Sequence, residues 1–203
     1  LNSGIGKQGD CETDRERENE RDIACVIRTR EQDVNAFEDI VRRYTPMFFS
    51  LAQQLMGYRH ADEIEQVVQE IFIRIFTNLK KFDTSKRFYP WAYTIAINYI
   101  RTERRKKRRI KELPYRDELL QTGGHGNADP SEAVIAKQAR TDVHKALWTV
   151  KKKYRDTFVL RVIEGLSVAE TAKALRISES AVKIHLFRAK KQLKNLLLEK
   201  EWK

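Results

Sequence analysis

Between Ile64 and Leu79 the chain places Ile64, Val67, Val68, Ile71, Phe72, Ile75, Phe76 and Leu79 on one side of a helix, at i, i+3, i+4, i+7 spacing. The opposite side carries Glu63, Glu65, Gln66, Gln69, Glu70 and Arg74. An apolar stripe that keeps one face over four turns needs partners of the same kind. The chain holds them. Phe37, Ile40, Val41 and Tyr44 make one stripe, which Pro46 is expected to close or bend. Phe48, Leu51, Ala52 and Leu55 make a second, and Ala92, Ile95, Ala96, Tyr99 and Ile100 a third. Eight glycines and four prolines in 203 residues are too few for an all-β fold full of tight turns.

The pattern lapses over residues 111–130, where "QTGGHGNADP" packs three glycines and a proline into ten positions and reads as a flexible linker. Asp129, Pro130 and Glu132 then supply a cap, a preset first residue and a first-turn acid. Val134, Ala139, Val143, Ala146, Leu147 and Val150 continue that helix, and Phe158, Val159, Val162 and Ile163 mark another that ends at Gly165. The expected fold is all-α: two small helical domains, 33–110 and 131–203, joined by the linker. Residues 1–32 are read as an acidic, disordered N-terminal arm. Asp10 to Asp22 holds seven acids and three arginines, a local charge of −4, suited to a solvated tail or to screening a basic surface.

After Gly165 comes "LSVAETAKALRISESAVKIHLFRAKKQL". Ser167 and Glu170 form a capping box, Ala172 and Leu175 face inward, Ser178 caps a second helix, and Val182 and Leu186 point back. Two short helices across a tight break make a helix-turn-helix, although Arg176 stands where such turns often have glycine. The second helix presents Lys183, His185, Arg188, Lys190 and Lys191, a cationic face suited to the major groove.

Charge agrees: 40 Lys+Arg against 29 Asp+Glu, +11, favours a polyanion. Cys11 and Cys25, fourteen apart with no CxxC, form neither a disulfide framework nor a zinc site. No apolar run reaches membrane-span length, so a cytoplasmic protein is expected. Four scattered histidines, His60, His125, His144 and His185, without a paired carboxylate motif, argue against a metal-dependent nuclease or recombinase. No catalytic residue, metal, cofactor or small-molecule substrate is expected.

Four segments stand in a familiar order: "FEDIVRRYTPMFFSLAQQLMG", "EIEQVVQEIFIRIFTNLKKFD", "FYPWAYTIAINYIRTERR" and the helix-turn-helix. Together they resemble the sigma-70 family of bacterial RNA polymerase sigma factors, specifically the extracytoplasmic-function class. The resemblance makes 33–110 a region 2 domain and 131–203 a region 4 domain. It implies core RNA polymerase and promoter DNA as partners, with an anti-sigma factor as a further candidate. Glu65, Gln66, Gln69 and Glu70 match the surface that docks on polymerase, although the family usually has aspartate where Gln66 stands. Asp83, Thr84, Ser85, Phe88 and Trp91 match the loop that receives a flipped base of the minus-10 element; Trp91 reads equally well as core. In "WAYTIAINYIRTERRKKRR" the apolar half anchors a helix while Asn98, Arg101, Arg104 and Arg105 lie along DNA, Asn98 as base reader. Lys183, Phe187 and Arg188 match minus-35 readers, with Ser178, Ser180, His185 and Lys190 toward phosphates. Ile184 could meet a thymine methyl or simply pack. A conventional helix-turn-helix regulator acting without polymerase would leave the first domain unexplained.

Overall fold

The computed structural model describes residues 6–57, 61–108 and 146–201, and among these every regular element is helical. Helix α1 spans Gly6–Arg30, where a disordered arm was expected. Counting charge concealed a buried face: Asp22, Cys25, Val26 and Thr29 are buried, while Glu16, Glu18 and Glu20 stay in water. Asp22 is the acid that the count misjudged. It accepts a 2.6 Å hydrogen bond from the Tyr44 hydroxyl and pairs with Arg43, so its carboxylate docks α1 on the next helix. Burial nevertheless pushes the Asp22 pKa up, against the lowering effect of Tyr44 and Arg43.

Helix α2, Asn35–Met56, runs through Pro46 instead of breaking there. A mid-helix proline costs about 3 kcal/mol. Ile40, Tyr44, Phe48, Leu51 and Leu55 are all buried on one face, and each such side chain contributes about 1.5–3 kcal/mol. Burial on both sides of Pro46 therefore outweighs the break.

Helix α3, Ala61–Asn78, buries Ile64, Val67, Val68, Ile71, Phe72 and Ile75, and a 3-10 turn, Leu79–Lys81, adds Leu79. Phe76, expected in the stripe, is 44% exposed; it lies at the edge and covers Phe37 edge-on at 5.1 Å. Helix α4, Phe88–Arg108, buries Phe88, Ala92, Tyr93, Ala96, Ile97, Ile100 and Arg104, whereas Ile95 and Tyr99 are half-buried. Its buried face is rotated from the expected one because α4 is covered both by the first domain and by the second.

The second domain is described from residue 146, so the linker over 111–130 and the helix start at Asp129 to Val134 lie outside the described residues. Helix α5, Lys152–Phe158, passes into a π-helical turn, Val159–Ile163. Helix α6, Val168–Leu175, begins at Ser167 with the expected capping box, and α7 is Glu179–Glu201. Ala146, Leu147, Val150, Tyr154, Ala189 and Leu193 make this domain's own small core.

The two domains are docked on each other. Val159, Leu160, Leu166, Ala174 and Leu175 join one continuous core with α1 to α4. Polar groups stitch the same seam. The Tyr93 hydroxyl donates to Glu164 Oε2 at 2.6 Å, and the Tyr89 hydroxyl to the Glu164 carbonyl at 2.7 Å.

Arg176 ends α6 at φ +56°, in the left-handed region. The Ile177 N–H still closes onto the Ala172 carbonyl at 3.0 Å, so the turn forms despite a Cβ that disfavours it. Arg176→Gly is expected to raise stability by about 0.5–1 kcal/mol, the left-handed penalty less the added unfolded-state freedom of glycine. A urea midpoint that falls instead would show that the exposed arginine does more than tolerate the turn.

Candidate functional site

Three solvent-facing surfaces carry the residues singled out above. On α3, Glu65, Gln66 and Gln69 are exposed and Glu70 is half-buried, all turned away from the core. Gln69 Nε2 lies 3.5 Å from Glu65 Oε1, and Glu70 pairs with Arg74 at 2.8 Å. Ile73, 56% exposed, lies one turn beyond Gln69 on this face. The apolar stripe does not include it, and its i+4 distance from Gln69 is the one sequence signal that places it here.

The second surface runs from the loop 83–87 onto α4. Asp83 organises the loop: its Oδ1 accepts from the Ser85 amide at 3.1 Å and the Ser85 hydroxyl at 2.7 Å, and Lys86 pairs with Oδ2 at 3.0 Å. The Ser85 hydroxyl, then Lys86, holds the Asp83 carboxyl down to about 2. Thr84 is half-buried and Ser85 exposed beside it. Phe88 does not belong to this surface. It is fully buried, with Tyr44, Phe82 and Trp91 rings at 5.6, 5.5 and 5.5 Å, and cannot stack a base from there.

Trp91 is different. It packs on Phe82 at 4.8 Å yet also lines an open groove of about 360 Å³ between α3 and α4. Asn98, Tyr99, Arg74, Asn78 and Lys106 share that groove, with the Arg74 guanidinium 4.6 Å over the Tyr99 ring. Ring faces, amides and cations around one opening suit an unstacked base and its phosphate. The Asn98 side-chain nitrogen is engaged within its own helix, donating to the Thr94 carbonyl at 2.8 Å, while the residue lines the groove.

Two of the expected DNA-facing arginines are engaged elsewhere. Arg104 is buried, forked onto Asp156 at 2.7 and 3.2 Å and onto the Leu55 carbonyl at 2.5 Å. Arg101 donates to the Leu175 carbonyl at 2.9 Å, at the end of α6. Both therefore join the two domains; a run of basic letters cannot reveal that one of them has a buried carboxylate 52 residues away. Arg105 remains exposed.

The third surface is α7. Ser178 caps it, its hydroxyl accepting from the Ala181 amide at 3.1 Å. Ser180, Lys183 and Lys190 are exposed, and Ile184 and Phe187 stand out at 51% and 69% exposure. Arg188 is exposed too, but its Nη1 donates to the Tyr154 hydroxyl at 2.8 Å, so a phenol from α5 sets its direction. His185 is half-buried and lies against Tyr154 at 5.2 Å, facing that helix instead of open solvent. Burial, then Lys153 and Arg188, holds its pKa below the usual imidazole value. A residue expected toward phosphates thus sits partly under the neighbouring helix.

Among the described residues no group of three or more His, Cys, Asp or Glu is placed to hold a metal ion, and no helix is long and apolar enough to cross a membrane.

Residues 40–110 match sigma-70 region 2, and residues 140–193 match sigma-70 region 4. The ECF RNA polymerase sigma factor SigW of Bacillus subtilis (strain 168) is 30% identical over 181 residues, 85% of this chain and 94% of that one. The ECF RNA polymerase sigma-E factor of Escherichia coli (strain K12) is 27% identical over 180 residues, 86% and 93% of the two chains. Among solved structures, CnrH in complex with the cytosolic domain of CnrY aligns with a TM-score of 0.62 at 24% identity, over 87% of this chain and 97% of that one. RpoE of Bartonella quintana, in complex with the anti-sigma factor NepR, aligns at 0.63 and 20% identity, over 79% and 96%. These two likenesses speak for the helical fold. With region 2 and region 4 in order and the identity to SigW sustained along both chains, the chain belongs to the sigma-70 family of RNA polymerase sigma factors, in its extracytoplasmic-function class.

Proposed function

We propose that this chain binds core RNA polymerase and directs promoter-specific transcription initiation, as a dissociable specificity subunit in the cytoplasm that performs no chemical step of its own. The observation that carries the reading is the division of one chain into surfaces of different chemistry. An acid-and-amide face on α3 suits a protein partner, and the α3–α4 groove and the cationic face of α7 suit nucleic acid. We assign Glu65, Gln66, Gln69 and Glu70 to polymerase. Asp83, Thr84, Ser85, Trp91, Asn98 and Arg105 go to the minus-10 element, and Ser178, Ser180, Lys183, Phe187, Arg188 and Lys190 to the minus-35 element. An anti-sigma factor is a further candidate partner, by analogy with the complexes of CnrH with CnrY and of RpoE with NepR. Run-off transcription with core polymerase, with and without this protein, is the test. Transcripts that start at the same sites in its absence would sink the reading, and tight sequence-specific binding by the free protein would favour an ordinary regulator.

Arg101 and Arg104 are occupied at the seam, so docking of the domains withholds part of α4 from DNA. The free chain is accordingly expected to bind duplex promoter weakly and to gain affinity once polymerase holds the two domains apart.

The α3 face can be tested apart from the fold. Glu65→Lys with Gln69→Ala is expected to weaken core binding about tenfold or more, as loss of complementary charge at an interface does. Both sites are exposed, so stability should change by less than about 0.5 kcal/mol per site. A large fall in thermal midpoint would mean that this face is packed in the native chain. On the DNA side, Arg105→Ala is expected to weaken all promoters alike and to lower the salt slope of holoenzyme binding by about one. A changed base preference would assign Arg105 to readout instead.

A further inference from the structure

We propose that Asn19 and Arg30 of α1 are positioning residues for promoter recognition, clamping the two ends of the loop 83–87 so that it meets the minus-10 element as a preformed turn. The inference rests on the assignment of that loop to minus-10 reading. At the loop's entry, the Arg30 guanidinium donates to the Leu79 carbonyl from Nε at 3.2 Å and Nη2 at 2.7 Å, and also to the Phe82 carbonyl. At its exit, Asn19 Oδ1 accepts from the Phe88 amide at 2.9 Å. The rings of Phe82 and Phe88 meet edge-on at 5.5 Å beneath the loop, so its two stems share one buried footing.

Each end is held from α1 by a partner that the loop does not supply. Phe88 opens α4, and its N–H is one of the donors a helix start leaves unpaired. The side chain just before it, Arg87, has only donors and cannot cap. The Leu79 carbonyl already takes the Phe82 N–H at 3.1 Å and Arg30 is its second donor, whereas the Phe82 carbonyl, just past the 3-10 turn, takes its donor from Arg30. Helix α1 supplies both. Asp22, fixed by Tyr44 and Arg43, sets its axial position, with Asn19 about one turn earlier and Arg30 about two turns later. Ordering a loop costs backbone freedom. A loop already held at both ends and knit by Asp83 meets that cost before DNA arrives, which sharpens discrimination without a new base contact.

The test uses holoenzyme assembled from core polymerase and the full chain, on a duplex library randomised over both promoter elements, with the bound fraction sequenced. Asn19→Ala and Arg30→Ala are expected to flatten base preference in the minus-10 element at least threefold while leaving minus-35 preference unchanged; Arg30→Lys is expected to restore part of it. Asp83→Ala serves as the reference for the loop itself. If Asp83→Ala flattens the minus-10 preference and the α1 variants do not, the clamp is wrong and the loop assignment stands. If Asp83→Ala changes nothing, the loop is not the reader, and the clamp falls with it. Trypsin on the free chain covers variants that fail to assemble, since Lys86 and Arg87 lie within the loop. Faster cleavage confined to those two residues supports the clamp. Unchanged cleavage, or cleavage spread along α3 and α4, overturns it.

Discussion

Arg104→Ala is expected to destabilise the chain by about 3–5 kcal/mol, the usual result of removing one partner from a buried ion pair. The two side chains are only 8% and 7% exposed, so solvent screens the interaction little. The fork onto Asp156 is bidentate, and the same guanidinium also satisfies the Leu55 carbonyl. Truncation therefore strands a carboxylate and a carbonyl at the junction between the domains. Most of the loss comes from that uncompensated charge. The pair Arg104→Met with Asp156→Leu should accordingly recover most of the stability, since an apolar pair of similar volume replaces buried charges at little cost. Urea denaturation of the single and double variants measures both. A single variant that loses less than about 1 kcal/mol would show water reaching the pair.

Arg188→Ala is expected to weaken holoenzyme binding to promoters with an intact minus-35 element by about 1–3 kcal/mol, roughly 5- to 150-fold, and to relax preference at part of that element. The Tyr154 hydroxyl holds Arg188 in one direction, so Tyr154→Phe should give a smaller loss of the same kind. Binding to promoter variants across several salt concentrations separates readout from charge. Equal weakening on every sequence would place Arg188 on phosphates.

The helix-turn-helix was legible before any coordinates because its instructions are short-range. Ser167 and Glu170 satisfy each other's backbone within one turn, at 3.1 and 2.7 Å, and Ser178 caps the next helix three residues ahead. Lys183, Phe187 and Arg188 then reach the outside by period alone. The α3 stripe was legible for the same reason, apart from Phe76 at its edge. Of the two outcomes expected at Pro46, closing the helix does not occur, because burial on either side outweighs the local penalty.

What the sequence determined by itself is thus the helical character, the order of the two domains and the chemistry of their exposed faces, since caps and periodicity act over one to four residues. Only the tertiary structure decided which charged and aromatic residues lie inside. Asp22 finds Tyr44 across 22 positions, Phe88 finds Asn19 across 69, and Arg104 finds Asp156 across 52, with the linker segment between them. An arginine that grips a buried carboxylate and one that faces solvent are the same letter in a basic run. The desolvation that separates them depends on what the far end of the chain brings alongside.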